Sequence, residues 1–227
     1  MSNKNIRSTK CKQQCDEYHI LKHDYEEINS SKMMMNLIYL HGFQSNALSI
    51  KGQCLKRYFA GNTDVQVHLP DLNCPPLVVM QRLSDLIASL EHVALVGSSL
   101  GGFYATQLVA KFHVPAVLIN PAMQPWRLFA ERFQQQGLPY QVTEAWTLDQ
   151  AQLQQLAEIA LPVAQDADKI LVLLQQGDEV LDYRVAQRYY SGASPCALVM
   201  TEAGGDHAMQ DFAEKIPMVY CFLKNLI

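Results

Sequence analysis

The sequence predicts an α/β fold: a mostly parallel sheet covered by helices on both faces, with a small helical cap inserted between its fourth and fifth strands. Three observations carry that reading. Short, nearly continuous apolar runs of strand length recur along the chain. Stretches with helical periodicity separate them. A Gly-Ser-Ser-Leu-Gly pentapeptide at 97–101 joins one apolar run directly to the helical pattern that follows it.

Taken in order, the first strand-like run is 36–41, followed by a helical pattern over 47–60 and a second run at 64–69. A helix over about 76–91 precedes the run 93–98, and a helix over 100–112 precedes the run 115–120. Strands at 169–176 and 196–201 then alternate with helices at 182–191 and 208–226. Runs this uniformly apolar suit strands buried on both faces, because a half-exposed strand alternates apolar with polar residues. In such sheets ligands bind beyond the carboxyl ends of the strands. The long interval 121–168 reads as the cap. A helix from Pro125 carries Trp126, Phe129 and Phe133 on one face, and a second helix near 147–160 is rich in Gln and Leu. The aromatic stripe fits ordinary core packing, and it also offers a lining for a substrate pocket.

Composition bounds the rest. The chain has 227 residues, 49% of them hydrophobic, which suits one large domain over 36–227. Residues 1–35 are polar with few apolar anchors and are expected to form a poorly ordered leader. A formal charge of −4 and the lack of a basic patch point away from nucleic acid. The apolar runs are too short to span a membrane, and no apolar h-region marks a secretory signal. Six scattered cysteines (Cys11, Cys15, Cys54, Cys74, Cys196 and Cys221) read as free thiols of a cytoplasmic protein. Cys11, Cys15, His19 and His23 recur every four residues. Around a helix such positions drift by about 40° per step, so the four do not converge on one ion. No metal or cofactor is expected, and no pattern fixes an oligomeric state.

The pentapeptide gains weight from its context. Between a strand and a helix, a G-x-S-x-G sequence describes a nucleophile elbow, whose tight turn leaves no room for side chains at Gly97 and Gly101. Ser99 takes the apex, at a helix start where amides and dipole favour negative charge. A serine hydroxyl is a weak nucleophile and needs a base. Of the seven histidines, His207 fits best, in the glycine-hinged loop Ala-Gly-Gly-Asp-His-Ala (203–208) directly after the last strand. The base in turn needs an acid to fix its tautomer. The run Gln-Gly-Asp-Glu-Val-Leu-Asp-Tyr (176–183) offers three carboxylates. Asp178 is nearest the strand end, Asp182 reads as a helix N-cap, and Glu179 is expected to point away. The backbone N–H of Leu100 supplies one oxyanion donor. The N–H of Phe43, after His41-Gly42, supplies the second, each typically worth ~3 kcal/mol in the transition state. Gly42 allows close backbone approach, and His41 is expected to orient that loop by a hydrogen bond. The chain order Ser99, Asp178, His207 is that of an α/β-hydrolase.

With these residues in place, residues 35–227 resemble the YqiA-like esterase family of small bacterial α/β-hydrolases. The resemblance rests on LIYLHGF (37–43), VGSSLGGFYAT (96–106), PAVLINPA (115–122), LLQQGDEVLDY (173–183) and GGDHA (204–208). It implies a cytoplasmic serine esterase acting on short acyl esters or on acyl thioesters, with Ser99, Asp178 and His207 as its triad. The leader lies outside the resemblance. Met209 stands where that family commonly has an aromatic residue, a difference expected to alter packing beside the base.

Overall fold

The structure, a computed structural model, describes residues 34–227. Six strands form one parallel sheet: β1 (Met35–Leu40), β2 (Val65–His68), β3 (Val93–Ser98), β4 (Ala116–Ile119), β7 (Ile170–Gln175) and β8 (Leu198–Glu202). Their spatial order is β2-β1-β3-β4-β7-β8, with every neighbouring pair parallel. All six lie within about two residues of the predicted runs. Met35, placed in the leader by the sequence reading, pairs with Val65 as the first residue of β1 and is buried. The Cys11, Cys15, His19, His23 pattern and the remainder of the leader expectation lie outside the described residues.

The period of two along each strand sorts its side chains onto two cores. Leu37, Tyr39, Val96, Val117, Ile119 and Leu171 face one layer, which is closed by α1 (Ile50–Tyr58) and α7 (Phe212–Lys224). Ile38, Leu40, Leu95, Leu118 and Val172 face the other. That layer is closed by α2 (Pro76–Ala88), α3 (Leu100–Phe112) and α6 (Tyr183–Ser191). Every residue of β1, β3, β4 and β7 is buried, which is why these segments read as unbroken apolar runs. The edge strand β8 keeps partly exposed positions and reads more weakly. Truncating a buried Leu or Ile in such a core costs about 2–5 kcal/mol.

The interval 121–168 holds the two expected helices, α4 (Pro125–Arg132) and α5 (Gln150–Ile159). It also holds an antiparallel hairpin, β5 (Tyr140–Thr143) with β6 (Trp146–Leu148), where the sequence reading had the start of the second helix. Asp149 ends the hairpin and starts α5, its carboxylate accepting the N–H of Gln152 as an N-cap. Helical periodicity begins only after that cap.

The strand order reverses direction between β1 and β3, since the chain runs outward to β2 on one side and to β4 on the other. A crevice opens at such a switch point beyond the carboxyl ends of the two strands. The loop His41-Gly42-Phe43 leaves β1 there, and Ser99 leaves β3.

Candidate active site

Ser99 has φ 54° and ψ −117°, a backbone conformation that side chains rarely adopt. Its neighbours permit the turn. A Cβ on Gly97 would lie 2.5 Å from the carbonyl oxygen of Gly101, and one on Gly101 would lie 2.0 Å from that of Leu40. Both clashes are with backbone that has no room to move, so these two positions exclude every other residue. The Ser99 N–H donates to the carbonyl of Ile119 at 3.0 Å. Its own carbonyl accepts from Gly102, Phe103 and Ala122. The strained apex is therefore held from β4 and from the first turn of α3.

The structure brings Ser99, His207 and Asp178 together from three separate loops. His207 Nε2 lies 3.0 Å from Ser99 Oγ, and His207 Nδ1 lies 2.8 Å from Asp178 Oδ2. The Asp178 side chain is 2% exposed, against 20% for His207, so the carboxylate is shielded and the imidazole faces the crevice. The second carboxylate oxygen of Asp178 accepts the N–H groups of Val180 and Leu181, each at 2.8 Å. That fork leaves Oδ2 aimed at the ring, and an ionised acid there favours the tautomer with Nε2 free to accept from Ser99.

The two other carboxylates of the run differ from each other. Asp182 is the N-cap of α6, accepting from the N–H of Arg184 at 3.0 Å. Glu179 does not point away as expected: its Oε2 accepts the backbone N–H of His207 at 3.0 Å. The longer side chain spans from the turn after β7 to the histidine loop, where a shorter acid would stop short. Gly177 lets those two loops meet, since its N–H donates to the Gly204 carbonyl at 2.7 Å and a Cβ there would collide with Gly205.

Gly42 faces the elbow, and a Cβ on it would lie 3.3 Å from Ser99 Cβ. His41 braces that loop. Its Nε2 accepts the N–H of Leu72 at 2.9 Å, which leaves Nδ1–H to donate to the Gly42 carbonyl at 2.8 Å. Asp71 lies 3.3 Å from the same Nε2, but a nitrogen already accepting from Leu72 has no proton to offer it. The backbone N–H groups of Phe43 and Leu100 take no acceptor among the described residues. Leu100 directly follows Ser99, and Gly42, the residue before Phe43, lies against the Ser99 side chain.

A cavity of about 700 Å³ opens on Ser99 and His207. Its walls come from the loop after β1, the start of α1 and the segment 207–213. Trp126, Phe129 and Phe133, read as a substrate lining, do not border it. Phe129 and Phe133 are buried in the core, and Trp126 packs on Phe103. Their role is indirect. Phe43 turns its ring into this cluster, with centroids 4.4 Å from Phe129, 6.0 Å from Phe133 and 6.1 Å from Trp146. Anchoring the ring fixes the direction of the Phe43 backbone. Met209 is fully buried against the α7 side of the sheet.

Two residues that brace the histidine loop went unread in the sequence. Asn120, buried at the end of β4, donates from Nδ2 to the carbonyls of Asp206 and His207 and accepts the N–H of Gln175. Gln175, buried at the end of β7, accepts the N–H of Asp206 at 2.8 Å and donates to Asp211 at 3.0 Å. Both are polar residues closing an otherwise apolar strand, a pattern visible in the sequence that sets them apart.

The solved structures similar to this chain share its fold. Alpha/beta hydrolase domain-containing protein 10 from mouse superposes with a TM-score of 0.63 at 16% identity, covering 84% of this chain and 88% of that one. Est1E from Butyrivibrio proteoclasticus gives 0.63 at 14% identity over 87% and 90%. Carboxylesterase CesB from Bacillus subtilis gives 0.53 at 14% identity over 83% and 84%. The parallel sheet and the helices on both faces are those of the α/β-hydrolase fold. The model of the uncharacterised protein family UPF0227 matches residues 36–224, and the chain belongs to that family.

Proposed function

We propose that this protein is a serine esterase that hydrolyses short- to medium-chain acyl esters through an acyl-enzyme, and that it accepts acyl thioesters by the same route. The observation that carries the reading is the continuous hydrogen-bonded line from Ser99 Oγ through His207 to Asp178, at 3.0 and 2.8 Å. In the first step His207 Nε2 takes the Ser99 proton as Oγ attacks the acyl carbonyl. The N–H groups of Phe43 and Leu100 receive the developing oxyanion, and Asp178 balances the imidazolium. His207 then returns the proton to the departing alkoxide or thiolate. A water deprotonated by His207 attacks the acyl-serine, and collapse of that second intermediate releases the acid and restores the Ser99 hydroxyl.

A small-molecule substrate suits the cavity of about 700 Å³, which is of the size that holds small ligands. One of the similar structures is a carboxylesterase by name, which agrees with this reading. Among the described residues no helix is long and apolar enough to cross a membrane. The test is turnover of 4-nitrophenyl butyrate. Wild-type protein should release nitrophenolate and Ser99→Ala should lose nearly all of that rate. A Ser99→Ala variant at the wild-type rate would overturn the proposal.

A further inference from the structure

The cavity beside Ser99 contains a cation that the acyl-transfer steps do not use. Lys51, the second residue of α1, lines it, and no Asp or Glu does. Among the described residues Lys51 forms no ion pair and no hydrogen bond.

Folding alone gives no reason for a lysine at this position. A cation in the first turn opposes the helix dipole, whose positive end lies there. The side chain is half-buried, and burial pushes its ammonium below the usual range, against the pull of Asp206 and Cys54. Taking a charge out of water without a close partner is unfavourable. Asp206 pulls on the ammonium through space but forms no ion pair or hydrogen bond with it; its Oδ2 accepts from Gln210 and its buried Oδ1 takes no partner among the described residues. The N-cap residue Ser49 lines the same cavity, and its buried Oγ lies beside the Tyr39 hydroxyl and caps no amide of α1. An ammonium without an ion pair and a helix start without a side-chain cap share one wall of the cavity that holds the reactive serine. Violations of local rules that cluster in this way mark functional positions.

We propose that the cavity takes esters or thioesters carrying a carboxylate or phosphate, and that Lys51 is the specificity-determining residue that holds this anion. The proposal rests on the reading of Ser99 as the acyl acceptor. An anion on Lys51 would complete the pair that the fold leaves open. The exposed side chains of Leu48 and Ile50, which border the same cavity, would flank the carbon chain.

Two substrate pairs separate the sources of the anion. On the acyl side, 4-nitrophenyl butyrate is compared with mono-4-nitrophenyl glutarate. On the leaving-group side, 1-butyryl-glycerol is compared with 1-butyryl-glycerol 3-phosphate. In each pair kcat/KM for the anionic ester is divided by that for the neutral one, in wild type, Lys51→Met, Lys51→Glu and Lys51→Arg. A hydrogen bond to a charged group predicts that the ratio falls by roughly tenfold to hundredfold in Lys51→Met in one of the pairs. It should fall further in Lys51→Glu and stay near wild type in Lys51→Arg, which also guards against a folding artefact. The pair that responds identifies which part of the substrate carries the anion. Ser99-dependent turnover with ratios that move less than about twofold in both pairs overturns this proposal and leaves the esterase reading intact. Absence of Ser99-dependent turnover of all four esters overturns both.

Discussion

Asn120 carries the loop that holds His207. Its Nδ2 donates to the carbonyls of Asp206 and His207 at 3.1 and 3.2 Å, and its Oδ1 accepts the N–H of Gln175 at 3.0 Å. One buried amide thus fastens the end of β7 to the histidine loop across the carboxyl end of β4. Asn120→Ala leaves the His207 carbonyl and the Gln175 N–H without this partner, while the Asp206 carbonyl keeps the N–H of Met209; each orphaned group is worth about 1–3 kcal/mol if it stays buried. A displacement of about 1 Å at the base costs on the order of 10²-fold in rate. The expected result is a kcat for 4-nitrophenyl butyrate lower by about that factor, with KM nearly unchanged and a lower Tm. A merely structural role would lower the Tm and the amount of active protein, with kcat per active site intact.

The choice between the neighbouring acids is open to direct test. Asp178→Asn keeps an oxygen for the N–H groups of Val180 and Leu181 but presents an NH₂ to His207 Nδ1, which favours the wrong tautomer. Loss of kcat on the order of 10⁴ is expected, with little change in fold. Asp182→Ala should behave differently, losing about 1 kcal/mol of stability with its N-cap while leaving turnover intact. Steady-state kinetics and urea unfolding of the two variants decide between them.

Gly101 and Gly61 separate two costs of replacing glycine. A Cβ on Gly101 would lie 2.0 Å from the carbonyl oxygen of Leu40, whereas one on Gly61 meets nothing within 4 Å and suffers only from its φ of +81°. Gly61→Ala should cost about 1 kcal/mol and leave activity unchanged. Gly101→Ala must move β1 against α3, so loss of soluble folded protein or destabilisation above about 4 kcal/mol is expected. Thermal melts of both check this.

The architecture was legible in the sequence because burial on both faces makes the central strands uniformly apolar. The meeting of Ser99, His207 and Asp178 was legible because each lies in the turn or loop that follows a strand, near glycines (Gly97, Gly101, Gly177 and Gly205) where a Cβ would clash. The braces were not, since Asn120, Gln175 and Glu179 act through backbone groups far away in sequence, and only the folded loops bring those groups to them. The hairpin 140–148 was hidden by its brevity and by the helical pattern that begins at its far end. The aromatic residues at 126, 129 and 133 show the same limit. Periodicity placed them on one face of a helix, but only tertiary packing decides whether that face meets a cavity or the ring of Phe43. The cavity wall at Ser49 and Lys51 carries no motif, and it emerges only when α1 is set beside the elbow.

Stability should respond to acid through the group at the foot of the histidine loop. A hydrogen bond from Lys215 holds the Asp211 carboxyl below its ordinary 3.8, with smaller help from Gln175. An acid depressed in the folded state stabilises the fold above its ordinary value, and the contribution is lost as pH falls through the folded value. Both side chains meet solvent, Asp211 at 43% exposure, so the contribution stays below about 1 kcal/mol. Asp211→Asn should flatten the urea midpoint against pH as pH falls below about 5 and leave its value near neutrality slightly lower.

The central claim is that Ser99 is a nucleophile activated by His207. Wild-type protein treated with a fluorophosphonate probe and digested should yield one modified peptide, with the phosphonyl group on Ser99. His207→Ala should suppress that labelling strongly. A probe that leaves Ser99 unmodified, or labels the His207→Ala variant as fast as the wild type, would contradict the claim.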